Sequence, residues 1–363
     1  MICKHFGVCG GCLSQNVPYA EQVRLKEERL SRLFNQRTAV IPCSKVFFYR
    51  NRMDFVCSQG KIGLRQKGRF NDVVQLQECF LMSEEAGEIL SFVNRLAQQH
   101  EISYFDMLTQ QGFLRYVVLR EGKFTHERMV SFVTNGFEHP GFLSFLTEFH
   151  QFFPMTSMNW LVNTGASDVS TGTVYKSFGK DFIIEKFDAL QYVIRPNTFF
   201  QTNSFAALTL FRDIKDRILP KSNVLDLYCG VGAISLFVAE RANTVHGIEI
   251  FEDSVIAAKD NARINRIANA AFSAQDLNAK IELMQKYDVF ITDPPRSGLS
   301  ESVIASIFAN KPGMIISVSC NPETHKRDID RLSKEYALIE LRGYDFFPHT
   351  DHVETMAVLE LKK

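Results

Sequence analysis

The sequence predicts an α/β protein in two parts: a mixed α+β domain over residues 1–190, then a domain built on a parallel sheet over residues 191–363. Three observations lead there. The chain has 363 residues, 45% of them hydrophobic, too many for one ordinary domain and enough for a sizeable core. From Arg50 to Gln75 apolar and polar residues alternate around glycines, as in Lys61-Ile62-Gly63-Leu64-Arg65, a pattern of antiparallel strands and hairpins. Beyond Val193-Ile194-Arg195-Pro196-Asn197, helical patterns alternate with short apolar strands, as they do where helices cover both faces of a parallel sheet.

The elements follow in order. Tyr19, Val23, Leu30, Leu33 and Phe34 recur among charges at helical spacing, and that helix ends near Asn35. Strands and hairpins fill Arg50 to Gln75, and a helix returns over Glu84 to Gln99. Further strands are expected at Leu114 to Arg120, Met129 to Thr134, Met158 to Thr164 and Thr171 to Phe178, with a helix near Pro140 to Phe152. In the second domain the strands are expected at Asn223 to Tyr228, Thr244 to Ile250, Ala271 to Gln275 and Asp288 to Thr292. Gly313 to Ser319, Ala337 to Phe346 and Thr355 to Leu361 complete the sheet. No internal repeat, low-complexity segment or long linker interrupts them.

Lys plus Arg and Asp plus Glu are balanced at 41 each, so no global positive field advertises a nucleic-acid partner, and any such site is local. Arg50, Arg52, Lys61, Arg65, Lys67 and Arg69 against the single acid Asp54 form one candidate; a solvated strand face is the plainer reading of the same charges. No apolar stretch approaches the roughly 20 residues that span a bilayer, and Met1-Ile2-Cys3-Lys4-His5 lacks the apolar core of a signal peptide. The expected location is the cytoplasm, with no membrane and no obligatory protein partner. In that reducing compartment eight cysteines argue for metal binding or catalysis where they are grouped, rather than for disulfides.

Cys3, Cys9 and Cys12 are so grouped, with Gly7, Gly10 and Gly11 permitting the tight backbone of a polythiolate site. Cys79, in Gln77-Glu78-Cys79-Phe80, is the candidate fourth ligand. Four thiolates suit tetrahedral zinc or an iron-sulfur cluster, and spacing leaves both open. Cys57, within the alternating segment Met53 to Ser58, reads as a core strand residue and Cys43 as structural.

Val224-Leu225-Asp226-Leu227-Tyr228-Cys229-Gly230-Val231-Gly232 is a strand entering a glycine turn that opens a helix, and Glu249 ends the next strand. Glycines let a ligand approach the backbone, and a carboxylate on the second strand grips ribose hydroxyls, so a nucleoside cofactor is expected. Dinucleotide enzymes share that logic, but Ser235 stands where their third glycine would be, which favours S-adenosylmethionine. Farther on, the prolines of Asp293-Pro294-Pro295-Arg296 stop a strand and leave Asp293 at its end. Cys320 in Ser319-Cys320-Asn321-Pro322 follows the apolar run Gly313 to Val318, at the carboxyl end of a strand where open α/β sheets bind ligands. A lone cysteine is more often core than catalytic; the neighbouring motifs, with Glu354 in His352-Val353-Glu354, reverse that reading.

Together, Phe199-Phe200-Gln201-Thr202-Asn203, the Asp226 to Gly232 turn, Asp293-Pro294-Pro295-Arg296, Ser319-Cys320-Asn321-Pro322 and Phe347-Pro348-His349-Thr350-Asp351-His352-Val353-Glu354 resemble the RNA uracil-5 methyltransferases. The resemblance implies a class I, Rossmann-like S-adenosylmethionine methyltransferase domain behind a central domain with a four-iron, four-sulfur cluster held by Cys3, Cys9, Cys12 and Cys79. It implies Cys320 as the thiolate that adds to carbon-6 of uracil, and Glu354 as the base that removes the carbon-5 proton. The cofactor-facing set is then Gln201, Tyr228, Gly230, Gly232, Glu249, Asp276 and Asp293, with Arg50, Arg52 and Lys67 on RNA phosphates. Because the chain begins at the cysteine loop, it resembles the shorter ribosomal branch that lacks an amino-terminal RNA-binding barrel. The implied product is 5-methyluridine at uracil 747 of 23S ribosomal RNA, on a uridine flipped out of a loop. Another ribosomal position, transfer RNA, or an exocyclic-amine methyltransferase that needs no thiol are the alternatives. Val231, Ala233 and Asp293 depart from the residues of some relatives.

Overall fold

The computed structural model describes residues 1–279, 281, 283 and 286–363. In chain order its elements begin with α1 (Tyr19–Phe34), β1 (Val40–Ile41), β2 (Arg52–Ser58), β3 (Lys61–Gln66), β4 (Arg69–Gln75) and α2 (Ala86–Gln99). Next come β5 (Leu114–Glu121), β6 (Arg128–Thr134), α3 (Phe142–Phe152), β7 (Ser157–Val162), β8 (Thr173–Gly179), β9 (Ile183–Phe187) and β10 (Leu190–Ile194). These are followed by α4 (Ser204–Arg217), β11 (Asn223–Leu227), α5 (Ala233–Val238), β12 (Thr244–Glu249), α6 (Glu252–Ile264) and β13 (Ala270–Ala274). The chain closes with β14 (Val289–Thr292), α7 (Glu301–Asn310), β15 (Met314–Ser319), α8 (Pro322–Leu332), β16 (Tyr336–Tyr344) and β17 (Glu354–Leu361). One compact unit comprises Met1–Asn16, Lys45–Lys186 and Val193–Asn197; the other comprises Val17–Ser44, Phe187–Tyr192 and Thr198–Lys363.

The first unit carries a seven-stranded sheet in the order β4-β3-β2-β5-β6-β7-β8. Its neighbours are antiparallel except β6 and β7, which run parallel because α3 supplies the crossover between them. The apolar face of α3 is aromatic. Phe142, Phe145 and Phe149 are fully buried, and each meets Phe132 edge-on, at ring separations of 6.4, 5.2 and 5.1 Å. Cys57 lies buried in β2, as its alternating segment predicts.

The second unit carries an eight-stranded sheet in the order β1-β16-β17-β15-β14-β11-β12-β13. β15, β14, β11, β12 and β13 are parallel, as the helix and strand alternation predicts. β17, however, is antiparallel to both β15 and β16. The connection Asp345 to Val353 is shorter than the dozen or so residues of a parallel crossover, so β16 and β17 can neighbour each other only as an antiparallel pair. This reversal matters for chemistry, since it brings the start of β17 beside the end of β15.

The boundary expected near residue 190 assigns α1 to the first domain; the structure groups it with the second unit. Leu30, Phe34 and Val40 join the core of Leu225, Leu227, Phe290 and Ile315, and β1 pairs in parallel with β16. The buried Lys26 ammonium lies 2.7 Å from the buried Asp345 carboxylate, a partner without which burial of that charge would be strongly unfavourable. The β9–β10 hairpin, absent from the expected strands, forms its own two-stranded sheet.

Candidate active site

The glycine turn follows β11 and is held by the next strand: the N–H groups of Tyr228 and Cys229 both donate to Ile248 O, at 3.0 and 3.1 Å. Gly232 caps α5 at φ 75, and a Cβ there would come within 2.8 Å of the Phe272 ring, so both conformation and space require glycine. Glu249, at the end of β12, accepts from the N–H groups of Gly230 (3.1 Å), Ile250 (2.9 Å) and Phe251 (3.1 Å). Three donors fix its carboxylate against the turn.

Beside this turn lies a recess lined by Phe199, Gln201, Asp226, Tyr228, Gly230 and Asp293, among others. Of the expected cofactor residues, Gln201, Tyr228, Gly230 and Asp293 line it directly, and Glu249 reaches it through its bond to Gly230. Asp276 does not line it: its side chain is exposed beyond β13 and accepts from Asn278 N at 2.8 Å. Gln201 Nε2 donates to Asp293 Oδ2 at 2.8 Å, and burial pushes the Asp293 carboxyl up to about 6 against that bond.

Asp226 is the functional candidate absent from the expected set. It is buried in β11 and accepts from Ser235 Oγ at 2.5 Å, while its Oδ1 is buried with no hydrogen-bond partner among the described residues. Burial, with Asp293 and Glu249 adding repulsion, pushes its pKa up to about 7. A carboxylate inside the apolar run Val224 to Leu227 is the sequence signal that marks it, because such a charge needs a partner or a ligand.

Cys320 and Glu354 come together through sheet register. Pairing of β15 with β17 runs from Met314↔Glu360 to Ser319↔Thr355, so Cys320 and Glu354 are the residues just beyond the last rung, near enough for the Glu354 charge to act on the Cys320 thiol. Burial first, then the charges of Glu354 and Asp293, push the Cys320 thiol up to about 11, while Arg296 works the other way by charge and hydrogen bond. Burial and Asp293 likewise hold the Glu354 carboxyl well above the usual carboxylate range, with Arg296 again opposing. Arg296 is anchored by its carbonyl, which accepts from Asn321 Nδ2 and Thr324 Oγ1, both at 3.1 Å. Cys320 also stands just before α8, capped by Asn321 with Pro322 in the first turn, where the helix dipole favours a thiolate.

A thiol, a carboxyl of raised basicity and a glycine-turn recess at one end of the sheet are the parts that alkylation of a carbon centre by thiol addition requires. A family model described as tRNA (Uracil-5-)-methyltransferase matches residues 176–362. The chain belongs to that family. It is 37% identical to the tRNA (uracil(54)-C(5))-methyltransferase of Pyrococcus abyssi over 98% of this chain and 85% of the relative. It is 34% identical to the 23S rRNA (uracil(747)-C(5))-methyltransferase of the same organism, over 99% and 85%. The crystal structure of the Pyrococcus abyssi tRNA enzyme in complex with S-adenosyl-L-homocysteine superposes with a TM-score of 0.86, at 36% identity, over 97% of this chain and 86% of that one. The protein is thus an S-adenosylmethionine-dependent RNA uracil-C5 methyltransferase.

In the first unit of this uracil-5 methyltransferase, Cys3, Cys9, Cys12 and Cys79 line one recess with Phe6, Leu64, Leu76, Phe80 and Leu81. All eight cysteines are free. Among the described residues no group of three or more His, Cys, Asp or Glu side chains is placed to hold a metal ion as it stands. The sulfurs do receive donors: His5 N to Cys3 Sγ (3.4 Å), Gly11 N to Cys9 Sγ (3.4 Å) and Gln15 Nε2 to Cys12 Sγ (3.2 Å). Cys43 is buried in the other unit, its sulfur accepting from Asn203 Nδ2 at 3.4 Å. The expected RNA contacts differ among themselves. Arg52 is engaged by Asp54 (2.8 Å) and Ser170 (3.2 Å), Arg50 lies near enough to Cys79 to act on its thiol, and Lys67 is exposed with its N–H on Val8 O. Among the described residues no helix is long and apolar enough to cross a membrane.

Proposed function

We propose that this methyltransferase forms 5-methyluridine in 23S ribosomal RNA, at uracil 747, through a covalent adduct between Cys320 and carbon-6. The observation that carries the mechanism is the register whose last rung, Ser319↔Thr355, leaves Cys320 and Glu354 as the residues immediately beyond it, close enough to interact. Carbon-5 of uracil is a poor nucleophile. Addition of the Cys320 thiolate to carbon-6 moves the double-bond electrons toward the carbon-4 oxygen, giving an enolate with nucleophilic character at carbon-5. S-adenosylmethionine, when bound, supplies the electrophilic methyl group. Glu354 then takes the proton from carbon-5, the double bond re-forms, and the thiolate leaves. Arg296 favours the thiolate, opposing the burial and the two carboxyls that raise the thiol's pKa. Asp293 and Gln201, joined by their hydrogen bond, orient the uracil edge or the cofactor, and exposed Lys67 serves RNA phosphates better than Arg52, whose charge Asp54 already meets.

Mapping of 5-methyluridine by mass spectrometry, in RNA from cells with and without this gene, tests the target. Loss at uracil 747 with transfer RNA unchanged is the expected result. Loss at position 54 of transfer RNA would overturn the ribosomal assignment and leave the chemistry standing.

Glu249 is proposed to grip the ribose hydroxyls, with Gly230 and Gly232 admitting the methionine end. Losing a charge-assisted contact costs about 1.5–3 kcal/mol, so Glu249→Ala should weaken S-adenosylmethionine binding about tenfold or more. Calorimetry on the folded variant checks it; unchanged affinity refutes the role.

Cys3, Cys9, Cys12 and Cys79 are proposed to hold a four-iron, four-sulfur cluster. The donor set fits: four thiols face one recess, each with N–H groups directed at its sulfur, the hydrogen bonding that suits cluster thiolates. Cys3, Cys9, Cys12 and Cys79 would hold it, and so would tie the amino-terminal loop to the segment around Cys79. Protein purified without oxygen should contain iron and acid-labile sulfide, Cys79→Ser should lower both, and Cys43→Ser should change neither. Stoichiometric zinc without sulfide would refute the assignment.

A further inference from the structure

His325 is a buried histidine that the proposed mechanism leaves unused. It sits in the first turns of α8, two per cent exposed, its ring edge-on to Phe34 at 6.3 Å. Its Nδ1 lies 2.7 Å from Thr355 Oγ1, and Thr355 Oγ1 donates to Ser319 O at 3.2 Å. Ser319 and Thr355 form the last paired rung of β15 and β17, so Cys320 and Glu354 are the residues immediately beyond it.

Proton accounting orders this chain of contacts. A carbonyl only accepts, so the single hydroxyl proton of Thr355 goes to Ser319 O. Thr355 Oγ1 must then accept from His325, which assigns the Nδ1–H tautomer. Nε2 is left buried with no hydrogen-bond partner among the described residues. An apolar side chain of similar volume would fill the same space without that unmet polar atom, so the bond from Nδ1 is what a histidine here contributes. Burial lowers its pKa to about 3, so the ring remains the neutral donor throughout the range in which RNA enzymes work. The Ser319 hydroxyl is committed as well, accepting from Asn321 N at 3.2 Å, which ties the backbone on the far side of Cys320 to the same rung.

We infer that His325 is a positioning residue: through Thr355 and Ser319 it locks the final rung of the ladder and so sets the distance between the nucleophile Cys320 and the base Glu354. The inference rests on the assignment of those two roles. Its consequence is specific to the step that needs both side chains at once, namely removal of the carbon-5 proton from an adduct still held by Cys320. Addition and methyl transfer need the thiolate alone.

The test separates these steps. Trapping on RNA containing 5-fluorouridine reports addition and methyl transfer, because fluorine replaces the proton that Glu354 removes; turnover on uridine RNA reports the whole cycle. His325→Leu and Thr355→Val should each slow turnover about tenfold or more, the scale of a small misplacement of reacting groups, while trapping stays within about threefold and the affinities for RNA and S-adenosylmethionine are retained. His325→Asn, whose amide nitrogen stands near the place of Nδ1, should restore most of the turnover. The double variant His325→Leu with Thr355→Val should be no slower than the worse single one, because both break the same chain. Unchanged turnover in the folded Thr355→Val variant would overturn the inference. So would equal losses in trapping and turnover that His325→Asn fails to rescue, the mark of a packing role alone. If wild-type protein forms no trapped species, the nucleophile assignment falls and this inference with it.

Discussion

Cys320→Ala is expected to abolish methylation, lowering turnover by a factor on the order of 10³ or more, while RNA and S-adenosylmethionine still bind. Without the thiolate no adduct forms, and carbon-5 never becomes a nucleophile. The readouts are transfer of a labelled methyl group to RNA and loss of the trapped species on 5-fluorouridine RNA. The thiol itself has a signature. Because its pKa is pushed up to about 11, its thiolate fraction, and therefore its alkylation by iodoacetamide, should rise about tenfold per pH unit between roughly pH 7 and 9. Peptide mapping resolves that site from the other seven cysteines. A Cys320→Ala protein that still methylates carbon-5 would defeat the covalent mechanism.

Glu354→Gln should fail at a later point. Cys320 still adds and the methyl group still moves, but the carbon-5 proton stays, so the thiolate cannot leave. Turnover should fall by about 10²–10⁴, the usual contribution of a general base, and a methylated protein–RNA species should accumulate on ordinary uridine RNA. Denaturing electrophoresis with labelled RNA reveals it. The amide also removes one of the two charges that raise the Cys320 pKa, so adduct formation should be no slower than in the wild type. Normal turnover by Glu354→Gln would mean that another group takes the proton. Opposite outcomes from Cys320→Ala and Glu354→Gln, no adduct against trapped adduct, separate a nucleophile and base from two residues that only share a pocket.

Much of this was legible in the chain. Strand ends and turns carry their own chemistry: Gly230 and Gly232 mark the turn, two prolines stop β14 after Thr292, and Asn321-Pro322 caps α8 directly after Cys320. The alternation from Arg50 to Gln75 reads as strands because side chains in a sheet repeat every two residues. Local pattern was less informative wherever a residue's role depends on a distant partner. Arg52 reads as a free cation until Asp54 and Ser170 are seen on its guanidinium. Asp276 reads as a cofactor residue, yet its side chain is exposed and does not line the recess. Asp226 reads as part of a strand until its orphaned oxygen is seen.

The amino-acid sequence by itself determined the α/β methyltransferase fold, the class of cofactor and the family, and it singled out Cys320 and Glu354 as the candidates for nucleophile and base, because each rests on residues that are neighbours along the chain or repeat at a fixed period. The tertiary structure alone decided that α1 belongs with the second unit, where Lys26 meets Asp345 across 319 positions of sequence. It alone decided that β17 enters antiparallel beside β15, so that Cys320 and Glu354 both follow the rung Ser319↔Thr355, against which His325 packs. These depend on which strand becomes whose neighbour and in what register. That choice follows from burying whole apolar faces and from pairing the few charges buried with them, a condition on the entire chain that no short stretch of it expresses.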